Sequence, residues 1–122
     1  MYRGQWNGGM RSGRGIYEYK TGQVYEGEWR CNYRHGVGIL KFPNGDFYNG
    51  DWYQGNKTGV GVYSFTNYEC YMGRWFNNMK HGTGKYIWPS GDRFSGEFYE
   101  NSIQEGEIEK RNGQKQTLVN PN

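Results

Sequence analysis

The segment YEGEWRCNYRHGVG, residues 25 to 38, decides the fold of this 122-residue chain. Its first half alternates two rings and a glycine with glutamates, which places the rings on one face of a β-strand and the carboxylates on the other. Its second half contains a histidine followed by two glycines. The residues that we assign to this structural unit are Tyr25, Gly27, Trp29, His35, Gly36 and Gly38.

The same arrangement recurs every 23 residues along the chain. Each unit has an aromatic, a glycine and a second aromatic at alternate positions, then a glycine pair, and finally a turn-forming dipeptide such as Asn44-Gly45. The units start at residues 2, 25, 48, 71 and 94, and the array occupies residues 1–113, followed by a polar C-terminal tail at 114–122. A chain of this length is expected to form one domain.

The composition favours strands over helices. There are 12 Tyr, 6 Phe, 5 Trp and 21 Gly, and no alanine. Each unit is interpreted as a β-hairpin, with the glycine pair at positive φ in the loop and a cross-strand ring lying over the strand glycine. The predicted fold is all-β: a single-layer, twisted antiparallel sheet of about five 23-residue hairpin repeats, with ten strands in a solenoid-like array.

This pattern, Tyr-x-Gly-x-Trp followed by His35-Gly36-x-Gly38, resembles the MORN repeat (membrane occupation and recognition nexus) over almost the whole chain. The resemblance implies a β-hairpin solenoid, in agreement with the periodicity. The last unit departs from the pattern, because Phe98 replaces tryptophan and its glycine segment is one residue shorter. We interpret this unit as degenerate, either a cap or an unused end, and expect the tail after Gly113 to be flexible unless a partner orders it.

The polar residues do not form a catalytic or metal-binding constellation. His35 and His81 occupy the same slot two units apart, which separates them by roughly 19 Å in such a sheet. Serine and threonine fill that slot in other units, so we expect it to offer a polar group to the backbone. Cys31 and Cys70 lie at unrelated positions without a C-x-x-C spacing. We therefore expect no enzyme activity, no cofactor and no metal ion.

One basic residue per unit precedes the histidine slot. At roughly 9.6 Å per repeat, the four would span on the order of 29 Å along one edge of the sheet. The column is a candidate contact for anionic surfaces, and the alternative is an ordinary solvated position. Its members are Arg11, Arg34, Lys57 and Lys80.

A second candidate surface lies at the slot after each tryptophan. This slot is polar in the first two units and aromatic in the last three, and a methionine shares its strand face. Exposed aromatics of this kind indicate partner binding, while the alternative is that the rings pack under the returning loops. The candidate partner-binding residues are Tyr53, Met72, Phe76 and Tyr99.

These features predict a non-enzymatic scaffold or adaptor that binds partner proteins in a larger assembly. The resemblance implies a cytoskeletal setting, with the ciliary axoneme and radial spoke as examples, and hence a cytoplasmic, cytoskeletal or ciliary location. The alternative is a peripheral module that contacts acidic phospholipids weakly through the basic column, on the cytosolic face of a membrane. Open terminal strands leave self-association edge to edge as a further alternative. The net charge of only +3, with both signs interspersed, argues against a nucleic-acid partner.

Overall fold

The computed structural model describes residues 1–120, which form eleven β-strands and no helix. All strands belong to one sheet, in which each strand pairs antiparallel with the next along the chain. The single-layer hairpin array is therefore confirmed, with eleven strands instead of the expected ten. The strands are β1 (Tyr2–Asn7), β2 (Met10–Glu18), β3 (Val24–Arg30), β4 (Tyr33–Lys41), β5 (Phe47–Tyr53), β6 (Asn56–Ser64), β7 (Cys70–Phe76), β8 (Met79–Ile87), β9 (Arg93–Tyr99), β10 (Ser102–Glu109) and β11 (Lys115–Val119).

The turn within each hairpin has two residues, and both have positive φ, as in the second repeat at Cys31 (49°) and Asn32 (71°). This is the type I′ geometry, whose twist matches that of the flanking strands. The expectation that the glycine pair forms this loop is wrong, because Gly36 and Gly38 lie inside β4. The chain has already reversed at Cys31 and Asn32 when it reaches them.

The glycine pair instead marks a β-bulge. In the β3–β4 ladder Gly27 pairs with Gly38, but the next pair is Trp29 with Arg34, so three residues of β4 oppose Glu28 alone. The Glu28 carboxylate fills the gap by accepting a 2.6 Å hydrogen bond from the backbone N–H of Val37. In the first repeat the side chain of Gln5 accepts the equivalent hydrogen bond, and in the third repeat the side chain of Asp51 does so.

One face of the sheet carries the core. The first aromatic of the second to fifth repeats is almost completely buried. Its ring lies along its own strand, over two glycines that pair across the hairpin, such as Gly27 and Gly38 in the second repeat. The Tyr25 hydroxyl, for example, donates a 2.8 Å hydrogen bond to the carbonyl oxygen of Glu28. For Gly27, the glycine between the two rings, the expectation of a ring from the neighbouring strand is therefore wrong, because Tyr25 belongs to the same strand. The same ring also covers Gly38 of β4. A Cβ at Gly38 would overlap that hydroxyl, which is why this position is glycine.

Consecutive repeats are joined by edge-to-face ring contacts. Tyr25 contacts Trp29 of its own repeat and Trp52 of the next, with centroids 5.0 and 5.5 Å apart. Tyr48 and Tyr71 continue the ladder in the same way. Edge-to-face pairs add roughly 0.5–1.5 kcal/mol each beyond burial, so every repeat boundary is stabilised by the core itself.

Up to residue 120, the tail also differs from the expectation of flexibility, and residues 121 and 122 lie outside the described residues. Residues 115–119 form β11, which pairs with β10 from Glu105↔Val119 to Glu109↔Lys115, and Leu118 packs against the core. The polar composition suggested flexibility, but alternation across β11 gives Leu118 an apolar contact and the backbone a ladder partner. The bulge of the fifth repeat is one residue shorter than in the others, consistent with the shorter glycine segment.

Candidate partner-binding surfaces

The basic column lies on the aromatic face of the sheet. Each of its members pairs across the hairpin with the tryptophan of its own repeat, as Arg34 does with Trp29. The guanidinium carbon of Arg34 lies 4.5 Å from the centroid of Trp52, and the Lys57 ammonium lies 5.2 Å from that of Trp75. The column is therefore a row of half-buried cation–π contacts and not a freely projecting edge.

The arginines and lysines of the column differ in their partners. Arg34 donates a 2.8 Å hydrogen bond to the carbonyl oxygen of Gly55 in the next hairpin turn, and Arg11 donates one of 3.0 Å to that of Asn32. Within residues 1–120, no hydrogen bond or ion pair involves the side-chain ammonium of Lys57 or Lys80. These two ammonium groups lie against ring faces instead, Lys57 against Trp75 and Lys80 against Tyr86 among others.

Burial has an electrostatic consequence for both lysines. It lowers the pKa of Lys57 from its ordinary value, and the neighbouring charges of Arg34 and Lys80 lower it further. Burial also lowers the pKa of Lys80, while the carboxylate of Glu69 partly opposes that shift. An anion placed against the column would stabilise the charged form of these lysines and offset the repulsion between neighbouring cations.

A second row of rings lies beside the column on the same face. Its members are half-buried, and in the first, third and fourth repeats they pair within the repeat, as Tyr63 does with Phe65 at 4.6 Å and Tyr86 with Trp88 at 5.4 Å. In the second repeat Phe42 contacts Tyr63 of the next repeat at 5.8 Å. The row comprises Tyr17, Tyr19, Phe42, Tyr63, Phe65, Tyr86 and Trp88. These rings have one side free and provide an apolar floor next to the cations.

Carboxylates lie beyond this second row, near the turns that connect the repeats. Buried Asp46 accepts a 3.1 Å hydrogen bond from the backbone N–H of Thr66, and Asp92 accepts one of 2.9 Å from that of Arg111. The Glu69 carboxylate accepts a hydrogen bond from the Tyr86 hydroxyl, and burial together with this bond raises the pKa of that tyrosine. In the second to fourth repeats, the aromatic face thus has a cation at one margin, rings in the middle and a carboxylate at the other margin, where Asp92 also forms an ion pair with Lys110.

Two depressions lie along the column, between the hairpin turns on one side and the second ring row on the other. One, of about 400 Å³, is lined by Arg11, Tyr17, Trp29 and Arg34 among others. The other, of about 370 Å³, is lined by Lys80, Tyr86, Trp88 and Ile103 among others. Both are open to solvent and are suited to the side chains of a bound segment more than to an enclosed small molecule.

The aromatic candidates lie on the reverse face. Tyr53, Phe76 and Tyr99 are between 53% and 56% exposed, so they do not pack under the returning strands. His81 lies between Phe76 and Tyr99, with ring centroids 6.1 and 5.1 Å away, and Thr58 occupies the equivalent position between Tyr53 and Phe76. His35 lies on the other side of Tyr53, at 5.6 Å. The structure therefore brings three of the four predicted residues into one row.

The fourth candidate, Met72, lies apart from that row. It shares the reverse face with Phe76, but Arg74 lies between them on β7. Met72 pairs with Val62 and Lys85 on the adjacent strands. Beyond Val62, the same face of the second and third repeats carries further apolar residues that the sequence analysis did not single out: Val37, Ile39 and Val60. Their signal is the alternation of valine or isoleucine with glycine in GVGI and GVGV.

The histidine slot contacts the turn of the following repeat. Thr58 Oγ1 accepts a 3.3 Å hydrogen bond from the N–H of Asn77, and His81 Nδ1 accepts one of 3.5 Å from that of Glu100. Ser12 makes the equivalent contact at 3.4 Å, whereas His35 packs against Tyr53.

The remaining chemistry-bearing residues are dispersed. Cys31 is an exposed free thiol and Cys70 a half-buried one. Among residues 1–120, no three histidine, cysteine or acidic side chains are grouped so that they could hold a metal ion. The same part of the chain has no helix long and apolar enough to cross a bilayer.

The geometry can be compared with known proteins. The sequence profile of the MORN repeat matches residues 2–24, 25–47, 48–70 and 71–93. A search of curated protein sequences gives no match. The fold is similar to the SAS-4 (dCPAP) TCP domain of Drosophila melanogaster, whose structure contains a proline-rich motif of Ana2 (dSTIL). The TM-score is 0.57 at 20% identity, over 90% of this chain and 61% of that one, so the likeness concerns the fold alone.

Proposed function

Because the chain belongs to the MORN-repeat family, a structural repeat module with protein–protein or membrane-binding roles, we propose that it is a non-enzymatic scaffold. Its task is to hold an extended segment of a partner protein across the aromatic face. The observation that carries this proposal is the arrangement of that face: a row of cations, a row of half-free rings and a row of carboxylates run side by side across the repeats.

An extended segment suits this face better than a globular partner or a small molecule. The depressions recur along the sheet instead of forming one deep pocket, so a long ligand is needed to fill them together. Aromatic-lined grooves bind proline-rich segments in several domain families, because the polyproline II helix is already extended and loses little entropy on binding. The proline-rich motif in the similar SAS-4 structure makes such a segment the first to test.

The resemblance to small MORN proteins supports a role as a component of a cytoskeletal assembly. A cytoplasmic, cytoskeletal or ciliary location, with the axoneme or radial spoke as the first to examine, follows from that proposal. The reverse-face row of Tyr53, Phe76 and Tyr99 would then serve as a second contact within the assembly, because more than half of each side chain is exposed.

Binding to acidic phospholipids is the second candidate function. It would use the same column, but a flat lipid surface needs charges that project beyond their neighbours. Here the Arg34 and Lys57 charges lie against the faces of Trp52 and Trp75. The peptide role is therefore favoured.

Co-purification from cells tests the proposal. Trp88→Ala removes an aromatic-face ring next to one depression, and Tyr53→Ala combined with Phe76→Ala removes two reverse-face rings. We expect Trp88→Ala to deplete the proteins that co-purify with the unaltered chain. If the Tyr53→Ala, Phe76→Ala variant also loses co-purifying proteins, the reverse-face row is identified as the second contact. An unchanged set of proteins with both variants, each shown to be folded by circular dichroism, would contradict the scaffold role of these surfaces.

A further inference from the structure

We infer that the segment held by the aromatic face is a polyproline II helix with a carboxylate at every third residue, directed at Arg34, Lys57 and Lys80. The inference rests on the proposed function and specifies the chemistry of the partner. It is drawn from the spacing and partners of the column and from the charges on either side of the ring rows.

Spacing is the first argument. Equivalent residues of consecutive repeats are two strands apart, which is roughly 9.6 Å in a β-sheet. A polyproline II helix rises about 3.1 Å per residue with three residues per turn, so every third side chain points the same way at intervals of about 9.3 Å. An ordinary extended strand alternates its side chains and cannot keep every third one on the same side. Because polyproline II has no internal hydrogen bonds, it can also follow the twist of the sheet.

Charge is the second argument. Lys57 has no hydrogen-bonding or ionic partner for its ammonium among the described residues, and it lies between Arg34 and Lys80, whose charges repel it. Three carboxylates at the repeat spacing would place one anion at each cation. The opposite margin carries Asp46 and Glu69, so the segment is oriented with its acidic side towards the column and away from them.

The middle of the face supplies the third argument. Between the cations and the carboxylates, the half-free rings of Tyr63 and Tyr86 offer apolar surfaces. Proline rings pack well on such surfaces and hold the helix in its extended form. The three sides of the helix would thus contact the cations, the rings and the solvent.

Three seven-residue peptides test the inference by calorimetry with the full chain. The first, EPPEPPE, places its glutamates on one side; the second, PPEEEPP, has the same composition with no two glutamates on the same side; the third is PPPPPPP. We expect the first to bind at least fivefold more tightly than the second, because one well-placed ion pair is worth roughly fivefold in affinity. Its affinity should fall as salt is added.

A pair of charge variants ties the effect to the column. Lys57→Gln should weaken the binding of EPPEPPE about fivefold and leave PPEEEPP almost unchanged. Lys85→Gln removes the same charge from the reverse face, where Lys85 is exposed, and should change neither affinity. Urea unfolding of both variants shows whether the fold is retained, and Lys80→Gln replaces Lys57→Gln if that variant is unstable.

The outcomes separate the inference from the function on which it rests. Equal binding of all three peptides, unaffected by Lys57→Gln, would overturn the acidic spacing while leaving an extended partner in place. Binding of phosphatidylserine vesicles that depends on Lys57, without binding of EPPEPPE, would overturn it in favour of lipid. If no peptide binds, the inference is also overturned, and the effect of Trp88→Ala on co-purification decides the proposed function separately.

Discussion

The indole N–H of Trp52 donates a 3.0 Å hydrogen bond to the carbonyl oxygen of Gly38 in the preceding repeat. Trp29 and Trp75 make the same bond across their own repeat boundaries, to Gly15 and Gly61. The tryptophan of the pattern is therefore both a core ring and a directional link between repeats. This double role explains why the position is so regular in this chain. Trp6 makes no such bond among the described residues, and it is exposed.

Replacing Trp52 by phenylalanine tests that link. The change removes the bond to Gly38 and part of a ring that is only 3% exposed, so we expect the free energy of unfolding to fall by about 1–3 kcal/mol. Trp6→Phe is the matched control, because Trp6 is 58% exposed and its loss should cost no more than about 0.5 kcal/mol. Urea unfolding measures both, and equal losses at the two positions would contradict the linking role.

The second prediction concerns the close approach of strands β5 and β6 where Gly50 pairs with Gly61. In Gly61→Ala the new Cβ would overlap the ring and hydroxyl of Tyr48, which is fully buried and cannot move aside. We expect a loss of about 3 kcal/mol or more. Gly8→Ala is a control for backbone conformation alone, since Gly8 has a φ of 61° but nothing within 4 Å of an added Cβ.

Gly8→Ala should cost only about 1 kcal/mol, the penalty for a left-handed residue that has a side chain. Thermal unfolding of the two variants separates the steric from the conformational effect. A smaller loss for Gly61→Ala than for Gly8→Ala would show that the Tyr48 ring is not held against the strand.

The repeat, the strand order and the buried face could be predicted from the sequence because each depends on a regular spacing. Tyr25, Gly27 and Trp29 share a face by alternation alone, and the 23-residue period extends that face to every repeat. The position of Arg34 could not be predicted as reliably. A bulge between Gly38 and Arg34 changes the register, so only the structure shows the cation over Trp52.

Features that depend on a single residue pair were missed. The type I′ turn at Cys31 and Asn32 lacks the Asn-Gly sequence that is typical of such turns. Across the five hairpins, the turns share only an asparagine or a glycine at their second position. Strand β11 was missed because the tail has no ring and lies outside the repeat. Its signal was Leu118, which alternates with polar neighbours and reaches the core.

The third prediction concerns the turn between the third and fourth repeats. Tyr68 has a φ of 72°, whereas glycine occupies the same slot at Gly22, Gly45 and Gly91. A left-handed conformation costs a non-glycine residue roughly 1–2 kcal/mol, and the extra freedom of glycine in the unfolded chain offsets part of the gain. We expect Tyr68→Gly to raise the free energy of unfolding by about 0.5–1 kcal/mol.

A control separates relief of strain from loss of an aromatic side chain. Tyr53→Gly removes a ring that is also more than half exposed, from strand β5, where glycine is unfavourable, and should destabilise the protein by about 0.5–1 kcal/mol. Urea unfolding gives both values. Destabilisation by Tyr68→Gly would mean that the tyrosine makes a contact worth more than its strain.

The last prediction is a loss of stability in alkali. Burial raises the pKa of Tyr71 to about 12, and burial also raises those of Tyr25 and Tyr48. Below about pH 10 these phenols are protonated in both folded and unfolded chains, so they add no pH dependence there. Above about pH 10 the phenols of the unfolded chain lose their protons before those of the folded chain. The free energy of unfolding therefore falls as the pH rises towards the pKa of Tyr71 in the folded chain. We expect urea midpoints to decline between about pH 10 and 12, and Tyr71→Phe, which mimics Phe94 of the fifth repeat, to make that decline shallower. An unchanged slope in Tyr71→Phe would show that this phenol is not shielded in the fold.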